Sequence, residues 1–144
     1  MNMLYVKDIM QTKVRTIDRK ETLAEAARLM VRWGTGSLIV VDHGVPSGIV
    51  TEGDISRAVA KGVSPGRTSL ASSKKKLITV VSGARVEEAA KLMASAGVKK
   101  LPVVDDGKLV GIITETDIVR SSFDLVTALK EMVRARYRPP DFTP

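Results

Sequence analysis

The sequence predicts a mixed α+β protein built from two strand-helix-strand-strand-helix repeats, related by a pseudo-twofold axis and sharing one core. Three observations carry this. The stretch Gly48-Ile49-Val50-Thr51-Glu52-Gly53-Asp54-Ile55 returns as Gly111-Ile112-Ile113-Thr114-Glu115-Thr116-Asp117-Ile118, displaced by 63 positions without a gap. Each copy alternates a helix-periodic apolar stripe with short β-branched runs. The 144 residues, 44% of them apolar, suffice for one compact domain burying roughly 70% of its unfolded surface. Two long copies do not make a solenoid, whose repeats are shorter and more numerous.

The elements follow in the same order in both copies. Val14-Arg15-Thr16-Ile17 and Leu77-Ile78-Thr79-Val80 are short extended pieces that match at the same displacement. Leu23, Ala26, Ala27 and Met30, like Val86, Ala89, Ala90 and Met93, recur at i, i+3, i+4 and i+7 and give each copy an amphipathic helix. Gly34 and Gly97 end these helices, because glycine accepts the left-handed cap conformation. Leu38-Ile39-Val40-Val41 and Leu101-Pro102-Val103-Val104 read as buried strands, with Pro102 expected at a strand start or edge since it has no ladder donor. Turns at Asp42-His43-Gly44 and Asp105-Asp106-Gly107 lead into Gly48 to Thr51 and Leu109 to Thr114, completing hairpins. A second helix follows each hairpin. The units are placed at residues 1–62 and 77–122, with a Pro/Gly/Ser-containing linker at 63–76 and an amphipathic helix and tail at 123–144. At the same displacement Asp8-Ile9-Met10 faces Ala71-Ser72-Ser73, so the second copy lacks that opening.

Composition narrows the function. Lys and Arg total 23 against 16 Asp and Glu, a net charge of +7 that favours anionic partners without choosing among them. Aromatics make up 3%, too few for the stacking platforms of a single-strand nucleic-acid binder. The absence of cysteine excludes disulfides and thiolate chemistry. His43, the only histidine, falls in a hairpin turn, and no metal cluster or catalytic signature is expected around it. With no long apolar run and no signal-like start, a cytoplasmic, non-membrane, non-enzymatic protein is the expectation.

The repeated Thr-x-x-Asp stands where a strand gives way to a helix. One carboxylate can accept both vicinal hydroxyls of a ribose, while a hydroxyl and the free N–H groups of a helix start suit a phosphate. Thr51 with Asp54, and Thr114 with Asp117, would bring both chemistries within one nucleoside of each other. Thr followed three residues later by an acid is equally a capping box that needs no ligand, and a duplicated cap would recur as well. The residues alone leave both readings open.

Gly-Ile-Val-Thr-Glu-Gly-Asp-Ile, Lys-Lys-Leu-Pro-Val-Val-Asp-Asp-Gly and the opening Val6-Lys7-Asp8-Ile9-Met10 together resemble the tandem CBS (cystathionine beta-synthase) domain family, whose paired unit is a Bateman module. The resemblance spans about residues 4–122. It implies two clefts between the repeats that bind AMP, ADP, ATP or S-adenosylmethionine, and a sensing role with no required cofactor. By the family pattern Asp54 and Asp117 hold ribose, with Thr51, Thr114, Thr116 and its counterpart Gly53 beside ribose or phosphate. Thr16 and Thr79 face the nucleoside of the cleft dominated by the other repeat. Gly36 and Ser37, and likewise Val98, Lys99 and Lys100, precede the central strands where phosphate is approached. Ile49, Ile112 and Ala84 border the adenine. Because Lys99-Lys100 stands against Gly36-Ser37, the cleft around Thr114, Thr116 and Asp117 is expected to hold a phosphate more tightly. The family further implies a homodimer through the helices and a regulated protein partner. The rival reading is nucleic-acid binding by Arg136, Tyr137, Arg138 and Phe142.

Overall fold

Each repeat places a hairpin against two helices in the order the pattern predicts, but only the first has its leading strand. The computed structural model describes residues 4–72, 77–121, 131 and 133–135. The chain runs α1 (Val6–Ile9), β1 (Thr16–Asp18), α2 (Leu23–Trp33), β2 (Ser37–Asp42), β3 (Val45–Thr51) and α3 (Glu52–Ala60), then a 3-10 turn at Leu70–Ser72. The second repeat continues with α4 (Val86–Ala96), β4 (Lys100–Asp105), β5 (Lys108–Thr114) and α5 (Glu115–Ser121). Of the helix and tail expected over 123–144, residues 131 and 133–135 are helical, and the rest lies outside the described residues.

Turn chemistry fixes the hairpins. In β2-β3 Asp42 pairs with Val45 across His43 and Gly44, both at positive φ (50° and 79°); Asp105 pairs with Lys108 across Asp106 and Gly107 (49° and 77°). Positive φ at both central residues is the type I′ geometry that matches strand twist. Both hairpins carry a register shift at the same place, Val40/Val41 and Val103/Val104. The helix ends also match: Gly34 and Gly97 cap α2 and α4 in the left-handed conformation at φ 63° and 67°.

The two sheets differ at their leading strand, and Pro102 explains why. In the first repeat β1 pairs in parallel with β2, and the Ile39 N–H donates to the Arg15 carbonyl at 3.0 Å. Pro102 occupies the position of Ile39, inside β4 rather than at its start, and has no N–H to offer. The expected strand at Leu77 to Val80 is accordingly reduced to one bridge, Val80 with Val103. Among the described residues the second sheet consists of β4 and β5.

Where the repeats are expected to share one core, burial forms two separate lobes, one per repeat, tied by exchanged segments. Ile17, Ala26, Met30, Leu38, Val40 and Val50 bury together with Leu70, from beyond α3. In the other lobe Val80, Ala84, Ala89, Met93, Leu101, Val103 and Ile113 enclose Val6, from the start of the chain. Backbone bonds hold both crossings: Val6 N–H to Ala84 O (2.8 Å) and Val86 N–H to Leu4 O (3.0 Å), against Leu70 N–H to Glu21 O (2.9 Å) and Leu23 N–H to Thr68 O (3.0 Å). These pairs place Val6 opposite Leu70, a displacement of 64, so the second copy does have a counterpart of the opening segment. One extra residue hides it from an alignment at 63.

Candidate functional site

Both Thr-x-x-Asp junctions form the helix cap that their spacing allows. The Thr51 hydroxyl accepts from the Asp54 N–H at 3.3 Å, and Asp54 Oδ2 accepts from the Thr51 N–H at 2.8 Å and its hydroxyl at 3.0 Å. Thr114 and Asp117 repeat the exchange at 3.1 and 2.9 Å. A carboxylate has roughly four acceptor sites, so one cap does not exhaust it. Each aspartate takes a further side-chain donor: Arg57 Nη2 reaches Asp54 Oδ1 at 2.7 Å, whereas Gln11 Nε2 reaches Asp117 Oδ1 and Oδ2 at 3.1 and 3.2 Å.

Glycine against threonine explains the different donors. A Cβ at Gly53 would lie 3.1 Å from Arg57 Nη1, so the bare glycine lets the guanidinium fold back over the helix start. Thr116 fills that space in the second copy, and among the described residues Arg120 makes no ion pair with Asp117. The carboxamide of Gln11 comes instead from the exchanged N-terminal segment, held along β5 by Gln11 N–H to Ile112 O (2.8 Å) and Ile112 N–H to Gln11 O (2.9 Å).

The hairpin ends meet at the pseudo-twofold axis. Ser37 pairs across its hairpin with Thr51, Lys100 pairs with Thr114, and Lys100 Nζ donates to the buried Ser37 hydroxyl at 3.0 Å. One bond between symmetry-equivalent positions thus joins the strands that deliver both threonines. It also means that the lysine pair does not serve Asp117 alone. Lys100 gives one of its three donors at the axis, and Lys99 lines an outer groove with Glu115, Ile118 and Met93, giving its carbonyl to the Glu115 N–H at 2.8 Å. The Gly36 carbonyl does the same for Glu52 at 3.0 Å.

The remaining expected residues divide. Thr16 and Thr79 are exposed on the leading segments, with Thr16 opposite Ile39. Val98 packs at the edge of the second lobe, while Ala84 is buried within it beneath Val6. Ile49 and Asp54 line a cavity of 530 Å³ in the first repeat with Arg19, Arg57, Lys61 and Leu70. Sequence reasoning passed over Gln11, Arg19 and Lys61, and left Arg57 out of the site. Only Arg57, one helical turn past Asp54 and repeated as Arg120, left a usable signal. Residues 73–76, with the Lys74-Lys75-Lys76 run, lie outside the described residues. No group of metal-ligating side chains is found among the described residues.

Two further aspartates, Asp42 and Asp105, are anchors for the hairpin corners. Arg19 Nη1 bonds Asp42 Oδ2 at 2.8 Å, and this hydrogen bond, with the guanidinium charge, holds the Asp42 carboxyl below its ordinary range. At the equivalent place the Ser82 hydroxyl and N–H bond Asp105 at 2.6 and 2.9 Å and lower its pKa likewise.

Comparison with known proteins agrees with this fold. The CBS domain family model matches residues 6–61 and 71–124. The chain is 36% identical over 115 residues to the CBS domain-containing protein YhcV of Bacillus subtilis (strain 168), covering 78% of this chain and 81% of that one. The crystal structure of the CBS domain pair of protein MJ0100, in complex with 5′-methylthioadenosine and S-adenosyl-L-methionine, matches with a TM-score of 0.75 at 30% identity. That match covers 83% of this chain and 96% of the other. The hexameric CBS-CP12 protein from bloom-forming cyanobacteria matches with a TM-score of 0.75 at 31% identity, covering 93% and 87%. The chain belongs to the CBS domain family and carries its unit twice, as a tandem pair.

Proposed function

We propose that this CBS pair is a non-enzymatic regulatory module that binds an adenosine-containing ligand, AMP, ADP or ATP in the first instance, at its two Thr-x-x-Asp junctions. The carrying observation is the state of the two aspartates. Each keeps its cap while giving a carboxylate oxygen to a side-chain donor that a ribose hydroxyl can replace. The hairpin ends that present them are joined at one axis by Lys100 and Ser37.

In this reading Asp54 and Asp117 accept the ribose diol. Thr51, Gly53, Thr114 and Thr116 form the turns beside it, and Ile49 and Ile112 border the base. Thr16, with Val98, Lys99 and Lys100, completes the Asp117 cleft; Thr79, with Gly36 and Ser37, completes the Asp54 cleft; and Ala84 borders the base. The clefts are unequal because Arg57 guards one carboxylate and Gln11 the other. The complex of MJ0100 with S-adenosyl-L-methionine supports the adenosyl class and keeps that ligand beside the nucleotides. Assembly as a homodimer in the cytoplasm, with a protein partner that reads the ligand-favoured arrangement, completes the proposal; a ligand shifts that arrangement only by its differential affinity for the two states.

A thermal-shift panel of AMP, ADP, ATP and S-adenosylmethionine tests it. A ligand at a hundred times its dissociation constant adds about 2.7 kcal/mol of stability, which raises the melting temperature by several degrees. No shift with any of the four leaves the junctions as helix caps only.

A further inference from the structure

We propose that Gln11 is a built-in competitor for the Asp117 carboxylate, and so a specificity-determining residue of the second cleft. The inference rests on the adenosyl reading above. An ionised carboxylate only accepts hydrogen bonds, so the Gln11 amide presents Nε2, and that nitrogen lies 3.1 Å from one oxygen of Asp117 and 3.2 Å from the other. It therefore spans the two acceptors that a vicinal diol would use.

The carboxamide is held there by its backbone. Gln11 exchanges two hydrogen bonds with Ile112. Its neighbour Met10 lies so close over Gly111 that a Cβ there would fall 2.6 Å from the Met10 sulfur and 2.9 Å from the Gln11 carbonyl. The segment is thus pinned to β5 while the end of the Gln11 side chain remains free to turn. A tethered donor competes at high effective concentration with any free ligand. A ligand offering both ribose hydroxyls replaces both contacts of the amide. One lacking them leaves the amide in place and forgoes the carboxylate, which is discrimination by an occupied site. In the first cleft Arg57 donates to one Asp54 oxygen, Oδ1. It sits on the same helix as Asp54 with a side chain 61% exposed.

Titration calorimetry with AMP and with 2′,3′-dideoxyadenosine monophosphate tests this. Asp54→Asn is the background in every protein, so that the second cleft is read alone. Replacing Gln11 with Ala removes the competitor. AMP should then bind about three- to tenfold more tightly, the range for one partly exposed hydrogen bond to a charged group. Affinity for the dideoxy compound should stay unchanged, or stay unmeasurable in both proteins. Gln11→Leu, which keeps bulk without a donor, should behave as Gln11→Ala does. Unchanged or weakened AMP binding in either variant overturns the competitor role, as does an equal gain for both nucleotides, which would mean general opening of the cleft. If AMP binds neither the Asp54→Asn protein nor its Gln11 variants, the adenosyl reading of this cleft falls, and the competitor role with it.

Discussion

At the scale of single residues, equivalent positions reach the same end by different chemistry. Arg19 and Ser82 occupy the same place in the two repeats, and each holds a hairpin aspartate, Asp42 or Asp105, in its ionised form. Both carboxyls therefore have folded pKa values below the ordinary 3.8. A depressed folded pKa contributes stability that is fully present above the unfolded value and is lost as pH falls through the folded one. Asp105→Asn should accordingly lower the melting temperature at pH 7. The gap from the native protein should shrink once pH drops below about 3.8, the ordinary value for Asp, and close at still lower pH; a gap that persists there would assign the effect to packing. The residue scale also holds what sequence conceals. Thr51, Asp54 and their copies were legible because caps are local, whereas Gln11 meets Asp117 from 106 positions away. No spacing rule connects those two. Gly53 offers a milder check: Gly53→Ala need only push aside the flexible end of Arg57, so helix propensity should offset the shift. Denaturant titration should show stability within about 1 kcal/mol of the native protein.

At the scale of elements, the sequence announces helices and hairpins clearly and their edges poorly. The i, i+3, i+4, i+7 stripes place Ala26, Met30, Ala89 and Met93 in the core as their period requires. The leading strand of the second repeat is lost because one proline removes one donor, a consequence visible only when the two sheets are laid side by side. Gly48 and Gly111 make the same point. They are identical in the repeat signature, yet a Cβ at Gly48 meets only Val40 at 3.8 Å, while at Gly111 it collides with Met10 and the Gln11 backbone. Gly111→Ala should therefore cost about 1–3 kcal/mol, the range for overpacking. Gly48→Ala should cost distinctly less. Equal costs in denaturant unfolding would show that the N-terminal segment does not lie along β5.

At the scale of the whole molecule, the exchanged segments make the pair one folding unit. Val6 is fully buried in the second lobe and Leu70 is buried in the first. Removing the methyl groups of Val6 should destabilise the protein by about 2 kcal/mol, as expected for a buried valine, although it stands near the chain start. A Val6→Ala protein that unfolds in a single shifted transition agrees with that coupling; two separated transitions would contradict it. The twofold repeat was plain in the sequence, but the crossing was not. Val6 and Leu70 correspond at 64 positions rather than 63, and local patterns cannot tell which core a segment enters. Joining the two junctions at one axis is what turns a pair of helix caps into a candidate pair of nucleoside clefts. Calorimetric titration of AMP into the native protein and an Asp54→Asn, Asp117→Asn double variant tests that claim most directly. The native protein should bind, and the folded double variant should show no binding at the same concentrations; a double variant that binds AMP as well as the native chain would contradict it.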